Sequence, residues 1–353
     1  MAARGQHTYA EIKSQPDVWR AVLAGAAGEA ARVQEAWRAV SPQQVLFTGC
    51  GSTYYLARAA AALLQGMTGV PARGVPASEI ALYTAETVAR PDETLLVAVS
   101  RSGTTTETEA ALEKFRQIGG KATWGVTCYP QTPIGEETDL VLLAEAAQEE
   151  SVAQTRSFSS MLLLCEALAA IAGGADLAPL QRLPDAAATL LAETEEMAKA
   201  TATRQDLARV FFLGAGPLYG IACEAMLKMK EMSITQSEAY HFLEFRHGPK
   251  AMVDDQALVI GLLAEHAFDH NAAVLRECAE MGGEIVALSP LGARDLPGQV
   301  VALPEGMPDW ARTAAYLPTL QLMAYYRSVH KGLDPDRPRN LTAVIYLDKE
   351  SLL

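Results

Sequence analysis

At 353 residues, half of them hydrophobic and a fifth charged, the chain is long enough for two domains of common size with sizeable cores. Its net charge of -13 and the lack of a basic stripe exclude general nucleic-acid binding. They do not exclude a small anionic substrate, because local N–H groups and hydroxyls outweigh a distant field. Five scattered cysteines (Cys50, Cys128, Cys165, Cys223, Cys278) have neither metal-ligand spacing nor the even count of a disulfide framework. Nothing among the histidines resembles a zinc cluster either, so neither a metal nor a cofactor is expected. The first residues lack the apolar core of a signal peptide. The greasiest run, Met161 to Ala172, is cut by Glu166 and short for a bilayer. A cytoplasmic protein with no membrane partner is the expectation.

Residues 1–40 read as a polar lead-in followed by an Ala-rich helix from about Pro16, with Ser14 or Gln15 near its cap. Gln44-Val-Leu-Phe-Thr48 is a strand that closes on Gly49-Cys-Gly51, and Tyr54 to Gln65 has helical apolar spacing. A short strand near Val70 and a helix near Ser78 come next. Leu95-Leu-Val-Ala-Val99 is a further strand, which breaks into Ser100-Arg-Ser-Gly-Thr-Thr105. Helical spacing resumes from Glu107 and runs to Gly119-Gly120, and strands are expected at 122–127 and 140–143. Strands alternating with helices imply parallel crossovers and a sheet covered on both faces.

The same order recurs. Arg209-Val-Phe-Phe-Leu213 closes on Gly214-Ala-Gly216 as the strand before Gly49 closes on Gly49-Cys-Gly51. Ile221 to Met232 echoes the first helix, and Ala257 to Leu263 echoes the strand before Ser100. A helix ending at Gly282-Gly283 and a strand at 284–288 complete the copy, at offsets of 214 − 49 = 165 and 282 − 119 = 163 residues. The expected fold is α/β: two tandem αβα sandwich subdomains, each a mostly parallel sheet flanked by helices. The expected division is a lead-in over 1–40, a first domain over 41–195 and a second over 196–353 with its C-terminal tail.

A strand that feeds a hydroxyl-rich turn and then a helix makes an anion site, since first-turn N–H groups lack intrahelical partners and the dipole is positive there. Ser100, Ser102, Thr104 and Thr105 add hydroxyls, and Gly103 permits close approach. A simple Ser/Thr-capped helix start is the plainer alternative. No lysine follows the glycine, which excludes a Walker-type loop. The second copy has Leu263-Ala-Glu-His in place of this turn. Neither Gly-x-Gly has a third glycine at the dinucleotide spacing, Tyr54 and Tyr219 standing there.

Glu224, Lys228 and Glu231 stand at i, i+4 and i+7 on one helix face, two carboxylates flanking one ammonium. A solvent-facing ladder of ion pairs is one reading. The other follows from the Gly-Ala-Gly elbow, which starts this helix at the carboxyl end of a strand, where open α/β sheets bind ligands. His247, in Arg246-His-Gly-Pro249, sits in a turn, and a lone histidine there is commonly structural.

Seven stretches resemble the SIS (sugar isomerase) family: Gly49-Cys-Gly-Ser-Thr53, Ser100-Arg-Ser-Gly-Thr-Thr105, Glu150 to Phe158, Ala222 to Ser233, Ser237-Glu-Ala-Tyr240, Arg246-His-Gly-Pro249 and Asp336-Arg-Pro-Arg-Asn-Leu341. Within it they are similar to the isomerase half of glutamine–fructose-6-phosphate aminotransferase and to single-chain deaminases and isomerases of amino-sugar phosphates. The resemblance implies a phosphorylated hexose or hexosamine as partner, and a homodimer with its active site near the interface. It implies that Ser100, Ser102 and Thr105 hold the phosphate with Thr53 beside it. Arg101, where the aminotransferase has glutamine, either adds a charge-assisted contact or points to solvent. Val152 and Gln154 fall where a backbone group and a serine contact the sugar. Glu231 matches the glutamate that moves a proton between two sugar carbons, with Glu224 and Lys228 in support, and His247 matches a ring-opening histidine that reaches in from a partner subunit.

One base on one face can take that proton and return it. Burial raises such a carboxylate's pKa toward the working range, while the neighbouring lysine opposes this. Residue 2 is alanine and no glutamine-hydrolysing domain precedes the isomerase half, so glutamine hydrolysis is not expected. Ala343 stands at the place of the family's imine-forming tail lysine, and the nearest lysine is Lys349. Three functions are compatible with these residues: isomerisation or deamination of an amino-sugar 6-phosphate, deglycation of a fructosamine-type phosphate, or sugar-phosphate sensing without catalysis. Retention of Glu231 and His247 favours catalysis.

Overall fold

The computed structural model describes residues 4–343, 345, 347, 348 and 352. Two compact units divide the chain. The first comprises Asp17–Glu149, Arg156–Gln181 and Thr342–Leu353; the second comprises Met1–Pro16, Glu150–Thr155 and Arg182–Leu341. The ranges read from the sequence are continuous, whereas these units interleave, because residues 150–151 are hydrogen-bonded to Glu11 and residue 152 to Asp336.

In the first unit, strands β1 (Gln44–Gly49), β2 (Ala72–Pro76), β3 (Thr94–Val99), β4 (Ala122–Thr127) and β5 (Leu140–Leu143) form one sheet in the order β2-β1-β3-β4-β5. Every pairing is parallel, with Val45 between Ala72 and Leu95. Side chains alternate across the sheet. Leu46, Leu96 and Ala98 form a core with Ile80 of helix Ala77–Leu82 and with Ala111, Leu112 and Phe115 of helix Thr106–Gln117. Val45, Phe47, Leu95 and Val97 take the opposite side of the pleat. Helix Ser52–Thr68 packs there on β1 and β3, and on helix Arg156–Gly173.

Helix Arg156–Gly173 runs further than the apolar stretch at 161–172 suggests. By length and composition it could cross a bilayer, but 83% of it is buried inside the protein, Glu166 included. Its apolar character therefore serves a core, being hydrophobic all round.

The second unit repeats the plan. Strands β6 (Arg209–Gly214), β7 (Gln236–His241), β8 (Ala257–Leu262), β9 (Glu284–Ser289) and β10 (Gln299–Ala302) are ordered β10-β9-β8-β6-β7, all parallel. Phe211, Leu213, Val259 and Ile285 pack one face against Phe242, Phe245, Leu275 and Cys278. Helices Pro217–Ser233 and Leu317–His330 pack together, and helix Glu195–Ala202 packs on the latter. Two tandem α/β subdomains are thus present.

Ahead of both, the lead-in is itself helical. Gln6–Lys13 forms a helix, Ser14 is its C-cap, and a second helix begins at Gln15 and runs to Val40.

Candidate active site

In the first sheet the connections diverge between β1 and β3, and the carboxyl ends at such a switch point are where open α/β sheets bind ligands. Gly49-Cys-Gly-Ser-Thr53 leaves β1 there and the hydroxyl loop leaves β3. Gly51 and its counterpart Gly216 both turn with φ 55, a region that favours glycine. The Thr53 hydroxyl donates to the Cys50 carbonyl and accepts the Cys50 N–H, both at 2.9 Å, so it shapes the elbow. Burial, and then the Glu107 carboxylate, push the Cys50 thiol up to about 11, which leaves it a poor nucleophile near neutral pH.

The loop is preformed. Ser100 Oγ pairs with Thr105 Oγ1 at 3.0 Å and accepts the Gly103 N–H at 3.1 Å; Ser102 Oγ accepts from Thr104 N–H and Thr104 Oγ1, both at 3.2 Å. Gly103 has φ 69, and a Cβ there would lie 2.0 Å from Thr132 Oγ1, so only glycine fits. Thr105 is the N-cap of helix Thr106–Gln117 but makes no side-chain cap, its hydroxyl being turned to Ser100. That is not a plain capped helix start. Glu107 and Glu109 lie on the same first turn, so an anion here relies on short-range donors against two carboxylates.

Arg101 does not run out to solvent. Its guanidinium is buried, 3.6 Å from the fully buried Glu149 carboxylate, and donates to the Ala343 carbonyl at 3.1 Å. Glu149 in turn accepts the Ser157 N–H at 3.1 Å and the Ser157 hydroxyl. No sequence signal marked Glu149 as the partner, because the pair spans 48 residues. Lys349 and Ala2 lie outside the described residues.

In the second unit, Lys228 Nζ stands 3.5 Å from Glu224 Oε1 and is hydrogen-bonded to Glu231 Oε2. The Glu224 and Lys228 side chains are 2% and 3% exposed against 21% for Glu231, so the solvent-facing ladder is excluded and one carboxylate alone stays open. Only the start of helix Pro217–Ser233 lies at the carboxyl end of β6. Glu231 is 14 residues further on, about 21 Å along the axis, so the strand-end argument does not reach it. Its surroundings are set by the helix C-terminus instead. Ile234 caps that end at φ 49, a strained conformation for a β-branched residue. Ser328 Oγ of helix Leu317–His330 donates to the Met232 carbonyl at 2.7 Å, and Nζ of its C-cap residue Lys331 to the Ile234 carbonyl at 2.8 Å.

His247 is exposed in a turn after Phe242–Phe245. The turn is pinned from both sides: Arg246 makes a bidentate pair with Glu277 at 2.6 and 3.1 Å, and Lys250 reaches the same carboxylate at 3.3 Å. The Arg246 hydrogen bond, helped by Lys250, holds the Glu277 carboxyl below its usual range against its burial. His241, which had no sequence support, is stacked on Tyr219 with ring centroids 3.7 Å apart. The Val152 N–H donates to the Asp336 carbonyl at 3.0 Å. Gln154 Oε1 is buried with no donor. Among the described residues no group of three or more His, Cys, Asp or Glu side chains could hold a metal ion.

Residues 40–171 and 205–330 each match the model of the SIS domain family. The chain belongs to that family. It is 31% identical over 359 residues to the isomerizing glutamine–fructose-6-phosphate aminotransferase of Pseudomonas syringae pv. tomato, covering 96% of this chain and 58% of that protein. The chain thus spans a little over half the length of the curated relatives it matches. Glucosamine-6-phosphate deaminase from Thermotoga maritima superposes with a TM-score of 0.85 at 25% identity, over 97% of this chain and 100% of that one. The tagatose-6-phosphate ketose/aldose isomerase of Escherichia coli shares the fold, with a TM-score of 0.86 at 22% identity over 96% and 99% of the two chains.

Proposed function

We propose that the chain is a phosphosugar-processing enzyme that isomerises or deaminates an amino-sugar 6-phosphate of the glucosamine 6-phosphate kind. The observation that carries this reading is the Glu231 carboxylate, open on one side and held on the other by a buried ammonium. Such a group keeps one geometry and takes a proton from the carbon beside a carbonyl or imine, then returns it to the neighbouring carbon. An enediol or enolamine forms between the two transfers. Glu224 and Lys228 position it, and Lys228 offsets negative charge as the intermediate develops.

In this reading Ser100, Ser102 and Thr105 bind the phosphate with Thr53 shaping the elbow, and Arg101 acts through Glu149 rather than on the phosphate. Val152 and Gln154 bind the sugar; the buried, donorless Gln154 Oε1 supports a hydroxyl or amino donor on the ligand. His247 opens the sugar ring, and its exposure supports action on the site of a second subunit in a homodimer.

The test is direct. Purified protein is incubated separately with glucosamine 6-phosphate and fructose 6-phosphate while ammonia and sugar products are followed. Ammonia release that falls by about 10²-fold or more in Glu231→Gln supports deamination, and interconversion without ammonia supports isomerisation. Sugar phosphate that binds but is never turned over leaves a sensor and overturns the proposal.

A further inference from the structure

Residues 150–155 are flanked in sequence on both sides by chain of the first unit, yet belong to the second. Glu11, Asp336 and Gln321 help to hold them. Glu11, 3% exposed on helix Gln6–Lys13, accepts the Glu150 N–H at 2.6 Å and the Ser151 N–H at 3.2 Å on one oxygen and the Ser151 hydroxyl on the other. The Asp336 carbonyl accepts the Val152 N–H at 3.0 Å, and Gln321 donates to the Thr155 carbonyl at 3.1 Å. Asp336 ties back to the same helix: its carboxylate accepts the Thr8 N–H at 2.7 Å, the Thr8 hydroxyl at 2.7 Å and the His7 N–H at 3.1 Å. A helix start with no cap of its own is thus capped from 328 residues away, and Glu11 and Asp336 both close on one short segment.

We infer that Glu11 is a positioning residue for sugar binding: its buried carboxylate fixes Glu150–Thr155 so that Gln154 presents its donorless oxygen to a ligand hydroxyl or amine. The inference rests on the sugar-phosphate reading above. A buried carboxylate that accepts three hydrogen bonds offsets its own desolvation, and its loss strands two N–H groups at once. Glutamine can keep an acceptor for those N–H groups and turn its amide toward the Ser151 hydroxyl, whereas alanine cannot.

The experiment measures, in the full chain, binding of glucosamine 6-phosphate and of inorganic phosphate by calorimetry, and amide exchange of residues 150–155. Glu11→Ala is expected to bind the sugar phosphate about tenfold more weakly, with inorganic phosphate unchanged and faster exchange confined to the segment. Glu11→Gln should stay near wild type. Gln154→Ala should share the sugar-phosphate loss, and combining it with Glu11→Ala should add little, since both act on one contact. Equal weakening of both anions, or unchanged exchange at 150–155, overturns the inference. A wild-type protein that binds phosphate but no sugar phosphate removes the sugar reading instead, while the exchange data still decide whether Glu11 holds the segment. Should Glu11→Ala fail to fold, Glu11→Asp, shorter by one methylene, supports the same comparison.

Discussion

Lys228 is the residue on which the acid–base helix depends. Its ammonium serves a buried carboxylate, Glu224, and an open one, Glu231, so it acts on stability and on chemistry together. Lys228→Met keeps the volume and removes the charge. Taking one partner from a buried ion pair costs about 3–5 kcal/mol, and the unfolding temperature should drop accordingly. Thermal unfolding of wild type and variant at neutral pH checks this, and an unchanged midpoint would sink it. The triad was legible because i, i+4 spacing is local. Arg101 was not, because its counter-ion comes from the far end of β5's exit and nothing in the sequence couples residues 101 and 149.

At the scale of elements, the doubled strand–elbow–helix order was readable from two Gly-x-Gly turns, which occur where tight backbone geometry requires them. Elements without such punctuation were not. Helix Arg156–Gly173 is apolar all round, so it carries no amphipathic period, and helix Gln6–Lys13 is polar and only 8 residues long. That short helix persists because tertiary contacts hold it, as expected where propensity alone cannot.

Glu195 supplies another of these contacts. It joins three helices, accepting from Tyr9 and Tyr326 hydroxyls at 2.6 Å each and from Lys13 at 2.8 Å. Burial pushes the Glu195 carboxyl up, but hydrogen bonds from Lys13, Tyr326 and Tyr9 outweigh it and hold it down at about 2. A folded-state pKa below the unfolded value of about 4.5 adds stability above pH 4.5 that is lost as pH falls toward 2. The contribution is on the order of 2–3 kcal/mol. Acid unfolding of Glu195→Gln should therefore start from lower stability at pH 6 and fall less steeply below pH 4.5; parallel curves would show that the carboxylate is not coupled to folding.

For the whole molecule, 42 acidic against 29 basic side chains leave a charge of -13 that a phosphorylated ligand must approach. A lysine-based phosphate site overcomes such a field by direct charge attraction, which salt screens. The proposed site differs. Between Ser100 and Thr105 the one cation, Arg101, is already engaged by Glu149, and Glu107 and Glu109 follow on the next turn. Binding would then rest on hydroxyls and backbone N–H groups at hydrogen-bond range, which salt screens little, while the long-range repulsion is screened strongly. Raising ionic strength shortens the Debye length from about 30 Å at 0.01 M to about 8 Å at 0.15 M. The KM for the sugar phosphate should accordingly fall, by about twofold to threefold, as NaCl is raised over that interval. Initial rates at fixed pH measure it. A KM that climbs with salt would mean that charge pairing, not the hydroxyl loop, holds the phosphate.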